Sequence, residues 1–340
     1  MARPYPPARK ELPVIPKLEL HLHLEGAAPP AFIRGLAAEK GVDLSAIFDP
    51  SGAYTYTDFP DFLRVYEAAT SVIRGPEDYA RLLAVVLETA AAEGAVYLET
   101  FVSPEFCGGA DRAAWRDHVA AMAEVAARLA PEIESRAIIT PIRHFGPERA
   151  RKTALCAAET ASEDRSGWVA GFGLGGAETY GEPGDFAWSF DCAREAGLGL
   201  TCHAGEWRGP ESVRAAWRDL GVSRIGHGVR AVEDPALVRD LAEAGVTLEV
   251  CPGSNVALGL YPSVAAHPIA RLADAGVRVT VSTDDPPFFH TTLRREYDAL
   301  ATAFGWTEDD FRRMNLWAAE AAFCDEATRA RIKEKLGCST

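Results

Sequence analysis

The sequence predicts a (β/α)8 TIM barrel, an α/β fold, with a helical insertion after its first strand and further helices at its C-terminal end. Three observations point there. Short apolar segments rich in β-branched residues recur eight times; each ends in a polar or glycine-containing turn; and each gives way to an Ala/Leu/Arg/Glu-rich stretch of helical period. No shift in composition divides these units, so strand then helix, repeated, reads as one parallel barrel. The competing arrangement, a doubly wound sheet, usually brings a glycine-rich phosphate loop after its first strand, where this chain has His21-Leu22-His23. The run Gly171-Phe172-Gly173-Leu174-Gly175-Gly176 is rich in glycine but opens no clear helix, so it is not read as a nucleotide fingerprint.

Taken in order, residues 1–16 form a Pro-rich, basic tail with no apolar stretch behind it, and not a signal peptide. Residues 17–340 are expected to be a single domain. Its predicted strands are Lys17–His23, Ala95–Val102, Ser135–Thr140, Trp168–Leu174, Leu198–His203, Arg224–His227, Val246–Cys251 and Val277–Thr283. Helices are predicted over Glu77–Ala92, Arg112–Leu129, Glu148–Glu163, Phe186–Ala196, Glu211–Leu220, Pro235–Ala244 and Pro268–Ala275, several stopping at a glycine such as Gly245. The connection after the first strand is out of scale. Residues 27–74 carry extra helical segments and an aromatic cluster, Tyr54, Tyr56, Phe59, Phe62 and Tyr66, expected to wall a pocket over the catalytic face. After Arg294–Leu300, the segments Glu308–Asn315, Leu316–Phe323 and Asp325–Lys335 read as helices covering the barrel.

The bulk properties narrow the function. The chain is 48% hydrophobic and 25% charged, the balance of a globular protein, and no apolar run suffices for a membrane helix. A net charge of −14 argues against nucleic-acid binding, which rests on Lys and Arg contacts to phosphates, and favours small neutral or cationic substrates. Seven scattered cysteines without a Cys-x-x-Cys pair fit a reducing cytoplasm and no disulfide framework. Cys202 is read as a core residue.

Chemistry collects at the predicted strand ends, where a barrel keeps its reactive groups. His21 and His23 are two apart on one strand, so their rings share a face while Leu20, Leu22 and Leu24 take the other. The fifth strand ends in His203-Ala204-Gly205-Glu206, the sixth in His227-Gly228, and the eighth in Asp284-Asp285. Three histidines and one carboxylate, Asp284 or Asp285, make a ligand set for zinc or a similar divalent metal with room for water. A water activated there has a pKa of about 7. His227 either accepts that water's proton or orients it, Glu206 is placed to protonate a substrate, and the second carboxylate is left to bind it. The fourth strand has no lysine to bridge a second metal, so one metal is expected. Of the other histidines, His118 reads as a surface residue of a helix, His267 as a helix start, and His144 and His290 as neighbours of the rim.

These pieces resemble the adenosine/adenine deaminase family, metal-dependent purine deaminases of the amidohydrolase superfamily. The matching motifs are His21-Leu22-His23-Leu24-Glu25-Gly26, His203-Ala204-Gly205-Glu206, Arg224-Ile225-Gly226-His227-Gly228 and Ser282-Thr283-Asp284-Asp285-Pro286, in family order across most of the chain. The resemblance implies one Zn2+ on His21, His23, His203 and Asp284, Glu206 as proton donor to purine N1, and His227 acting on the zinc-bound hydroxide that attacks C6. It also implies Asp285 bonding to the purine, Gly176 meeting N3, Glu25 at the position that meets the ribose, and Phe62, Leu63 and Tyr66 as pocket walls beside His23. The expected activity is hydrolysis of adenosine or 2'-deoxyadenosine to inosine and ammonia, as in bacterial adenosine deaminases and in purine salvage. Against this, Glu25 stands where many adenosine deaminases have Asp and adenine deaminases often have Glu, so adenine or a modified adenosine is the alternative substrate. An amide or lactone hydrolase on the same barrel would leave Glu206 and Asp285 unexplained; a non-catalytic purine- or metal-binding barrel is the reading from a different class. Oligomeric state is left open.

Overall fold

The computed structural model describes residues 15–337; residues 1–14 of the expected tail, and Cys338, lie outside the described residues. Eight strands form the interior: β1 (Lys17–His23), β2 (Ala95–Val102), β3 (Glu134–Ile139), β4 (Val169–Phe172), β5 (Gly199–Ala204), β6 (Arg224–His227), β7 (Thr247–Val250) and β8 (Arg278–Val281). They pair in parallel in sequence order. Leu22 bridges Asp284 across the remaining gap. There the His23 N–H donates to the Asp284 carbonyl at 3.0 Å, and the Asp284 N–H to the His21 carbonyl at 3.1 Å. Barrel closure and the histidine motif therefore share one seam.

Two helices, α1 (Pro30–Lys40) and α2 (Phe59–Thr70), occupy the long connection after β1. Seven longer or shorter crossover helices follow: α3 (Pro76–Ala92), α4 (Arg112–Leu129), α5 (Pro147–Glu163), α6 (Ala187–Glu195), α7 (Pro210–Asp219), α8 (Pro235–Ala244) and, after the short α9 (Pro252–Ala257), α10 (Ile269–Asp274). Proline opens α3, α7 and α8, because its fixed φ suits the first turn and its missing N–H has no helical partner there anyway. Gly245 ends α8 at φ 67°, a left-handed position that a side chain resists. The expected strands ran one or two residues further at several C-terminal ends. The chain leaves the sheet there because those residues turn toward the rim: Asp284, just past β8, has φ 70°.

The C-terminal part is α11 (Leu293–Phe304), α12 (Glu308–Ala321) and α13 (Glu326–Lys335). The expected break between Asn315 and Leu316 is absent. No glycine or proline stands there, and Asn315 is buried and spent on tertiary bonds, its Oδ1 accepting from the Leu18 N–H at 2.8 Å. Helices α12 and α13 close the N-terminal end of the barrel, where Ala318, Ala319, Ala322 and Ile332 pack on Leu18, Leu20 and Tyr97. Phe323 enters that end as a plug. A side chain at Gly171 or Gly199 would collide with its ring, which accounts for part of the glycine-rich run. His118 is buried, not a surface residue: α3 packs along α4, and Tyr79 meets the His118 ring edge-on at 5.3 Å.

Candidate active site and metal centre

At the C-terminal rim, strand alternation aims His21 and His23 inward, and β5 adds His203 beside them. His23 Nε2 lies 3.1 Å from His203 Nε2. Asp284 Oδ1 stands 3.6 Å from His21 Nε2 and 3.3 Å from His23 Nε2. Ligand atoms of these four residues lie within 4.8 Å of one another. Four atoms each roughly 2.0–2.1 Å from one tetrahedral centre would sit roughly 3.3 Å apart, so the separations fit a single divalent metal. The buried His21 Nε2 has no hydrogen-bond partner in the protein, as expected of a nitrogen kept for a metal. Space for the rings comes from small neighbours: a Cβ at Gly226 would stand 2.8 Å from His21 Cε1 and 3.1 Å from His203 Nδ1.

The structure also separates the two aspartates that the sequence left as neighbours. Burial alone would push Asp284 up, but the close approach of the His21 and His23 rings, with His227 beyond them, outweighs it and holds its carboxylate well below the usual range. Asp285 has no such partners. Burial, then the charges of Asp284, Glu206 and Glu25, drive its carboxyl well above the usual range, and its Oδ1 is unpaired. Gly26 makes room for it, since a side chain there would run into the Asp285 carboxylate. Glu206 is likewise raised well above normal, by burial first and then by Asp284 and Glu178. Burial lowers His227 to about 3. Its Nε2 stands 3.8 Å from Glu206 Oε1 and 4.0 Å from Asp284 Oδ2. Both His227 and Asp284 are held at positive φ, 60° and 70°, local strain of the kind that collects at functional sites.

A pocket opens over this cluster. His23, His203, Glu206, His227, Asp284 and Asp285 form its floor. Its walls include Phe62, Leu63 and Tyr66 from α2, with Gly176 and His144 opposite. Gly176 has φ 88°, and a Cβ there would press on His144 Nδ1 at 3.0 Å. Of the other insertion aromatics, Phe59 lines the pocket, while Tyr54 stacks on Phe288 at 3.9 Å and Tyr56 bonds to the Phe288 carbonyl. His290 does not line the pocket. Nor does Glu25: its buried carboxylate accepts from the Tyr79 hydroxyl at 3.2 Å, behind the wall, and burial raises it to about 7.

Three supporting groups have no place in the motif reading. Glu249 accepts from His21 Nδ1 at 2.8 Å, fixing which nitrogen of that ring faces the site. Ser254 donates to Asp284 Oδ2 at 2.6 Å. Glu178 gathers the backbone N–H groups of Gly205, Glu206, Trp207 and Arg208 and the Ser212 hydroxyl onto one buried carboxylate, at 2.6–3.0 Å, and so holds the turn that carries Glu206. The signal for Glu249 was present in the sequence. An acid in the middle of an apolar strand has to be paired.

In sequence and in fold the chain is similar to known deaminases. The adenosine deaminase family profile matches residues 16–338. An adenine deaminase from Agrobacterium fabrum is 48% identical over 328 residues, covering 94% of this chain and 98% of that protein. The crystal structure of an adenine deaminase from Arthrobacter aurescens superposes with a TM-score of 0.84 at 28% identity, covering 95% of this chain and 98% of the other. A Burkholderia ambifaria amidohydrolase with bound Zn gives a TM-score of 0.83 at 25% identity, over 98% and 95% of the two chains.

Proposed function

The chain belongs to the adenosine deaminase family, and from that premise we propose that it hydrolyses adenine to hypoxanthine and ammonia. The observation that carries this reading is the set of three hydrogen-bond donors around the pocket. Purine N1, N3 and N7 are all acceptors, so each needs a donor. A carboxyl donates only while protonated, the form that burial and neighbouring negative charges favour at Glu206 and Asp285. Glu206 then faces N1, Asp285 faces N7, and the Gly176 N–H faces N3. Phe62, Leu63 and Tyr66 close over the apolar faces of the ring.

One Zn2+ is the metal in this reading, held by His21, His23, His203 and Asp284; when bound, it activates a water as the nucleophile for C6. Protonation of N1 by Glu206 lets the ring accept the electrons as the new C–O bond forms. His227 faces the reacting oxygen. The exocyclic amine leaves with a proton as ammonia when the C–N bond breaks. A single barrel unit over residues 17–340, behind the short tail, carries this reaction, with α1 and α2 as its lid region. Its setting is the cytoplasm: the described cysteines are all free, as a reducing compartment keeps them. Among the described residues no helix is long and apolar enough to cross a membrane.

Adenosine, the substrate expected from the motifs, fits less well. The Agrobacterium fabrum and Arthrobacter aurescens relatives are adenine deaminases, and Glu25, the residue expected to meet a sugar, accepts from Tyr79 and is not among the residues that line the pocket. The test is ultraviolet absorbance change on zinc-loaded protein with adenine and adenosine in parallel. Rapid conversion of adenine, slow conversion of adenosine, and a loss on the order of 10²–10⁴-fold in Glu206→Gln are expected. Adenosine turned over as fast as adenine would restore the nucleoside; silence on both would remove the deaminase reading.

A further inference from the structure

Behind His227 runs a line of buried polar side chains that the reaction above does not use. Asn255 and His267 are 0% and 2% exposed. The direction of the hydrogen bonds along this line follows from one atom that has a single possible role. The Ile269 backbone N–H meets His267 Nδ1 at 3.2 Å. A backbone N–H can only donate, so His267 Nδ1 bears a lone pair and the ring proton sits on Nε2. Burial also keeps this ring neutral, pulling it down to about 3. His267 Nε2 is 3.0 Å from the Asn255 amide and, as a donor, requires the amide oxygen there. The amide nitrogen is thereby turned to His227 Nδ1, 3.5 Å away. An amide NH2 donates only, so His227 Nδ1 is the acceptor. With Nδ1 an acceptor, the proton that an imidazole carries is left on Nε2, the nitrogen that faces Glu206 and Asp284.

We propose that Asn255 and His267 are positioning residues that lock His227 in its Nε2–H tautomer and so make it a hydrogen-bond donor toward the reacting centre. An imidazole already protonated on Nε2 cannot take a proton there. Of the two roles open to His227, accepting a proton from the attacking water or orienting its oxygen, the relay selects the second. The proton lost by that water passes instead to Glu206, whose carboxylate is freed once it has protonated N1. This consequence rests on the deaminase reading; the tautomer itself is a property of the folded chain.

Long-range 1H–15N correlation on zinc-loaded, 15N-histidine-labelled protein measures it, with His227→Asn identifying the signals. The expected wild-type pattern is a protonated Nε2 and a bare Nδ1 on His227. In Asn255→Asp the carboxylate accepts from both neighbours, so His227 is expected to switch to the Nδ1–H form, with kcat on adenine falling more than KM changes. A wild-type Nδ1–H form overturns the proposal without need of any variant. An Nε2–H form that persists in Asn255→Asp overturns the part given to Asn255. Turnover separates the two readings. Nε2–H without turnover of adenine or adenosine keeps the relay and removes the deaminase; turnover with Nδ1–H does the reverse.

Discussion

The barrel buries charge at both ends and disposes it in opposite ways. At the N-terminal end Arg224 lies between Glu99 and Glu249, 2.6 Å from each. Glu99 also accepts from the Tyr97 hydroxyl and the Phe323 N–H, and Glu249 from the Thr201 hydroxyl. The Phe323 ring lies 3.6 Å from the guanidinium and shuts out water. At the C-terminal rim, carboxyls crowd one another with no Lys or Arg among the described residues that line the pocket, Asp285 Oδ1 and His21 Nε2 lack hydrogen-bond partners, and two residues sit at strained backbone angles. One end is arranged to stay as it is; the other holds groups whose partners are still to arrive. The same contrast predicts that substitutions at the two ends change different quantities.

Arg224→Met gives the largest stability effect. It leaves Glu99 and Glu249 buried without their cation, and breaking a buried ion pair from one side costs about 3–5 kcal/mol. Denaturant unfolding of the metal-free protein is expected to show that loss. Asp285→Asn at the rim is expected to change stability little or to raise it, because it removes a crowded carboxyl whose Oδ1 has no partner, while turnover falls. Equal losses at both ends would break the comparison.

The two ends also differ in how readily the sequence reveals them. The rim was legible because its residues cluster in short motifs at strand ends: His21 and His23 share a face by simple alternation, and His203 and Glu206 share one turn. The strand-helix order was legible for the same local reason, in apolar runs and glycine stops. The supporting residues were not. Glu249 and His21 are 228 positions apart, Glu99 meets Phe323 across 224, and the His227–Asn255–His267 line becomes visible only once β6 and the segment after β7 are side by side. Burial of His118 depends on the pairing of α3 with α4, which no local pattern encodes. A charged residue within an apolar strand does announce that a partner exists, though not which one.

Glu249 belongs to both ends, holding Arg224 with one oxygen and His21 with the other. Glu249→Gln sharpens the comparison at its joint. An amide keeps the size, but it cannot accept from His21, Thr201 and Arg224 alike. Loss of such a partner behind a ligand typically weakens metal binding about 10–100-fold. Competition with a chromophoric zinc chelator would measure it. An unchanged affinity would mean that β1 alone orients His21.

The smallest effect concerns helix α13 at the closed end. Asp325 caps α13, accepting from the Thr328 N–H at 2.8 Å and from its hydroxyl at 2.7 Å. These bonds, the backbone one foremost, with Arg136 adding to them, hold its carboxyl well below the usual range. A depressed carboxyl contributes stability that is fully present above its unfolded value, about pH 4, and is lost as the pH falls through the folded one. Asp325→Ala is expected to cost about 0.5–2 kcal/mol at neutral pH, the ordinary worth of an N-cap. The gap to wild type should close below about pH 4, as the wild-type carboxyl takes up its proton. Turnover at the rim should stay the same, because α13 touches the far end of the barrel. A variant that unfolds no more easily at neutral pH yet turns over more slowly would show that the two ends are coupled through the strands between them.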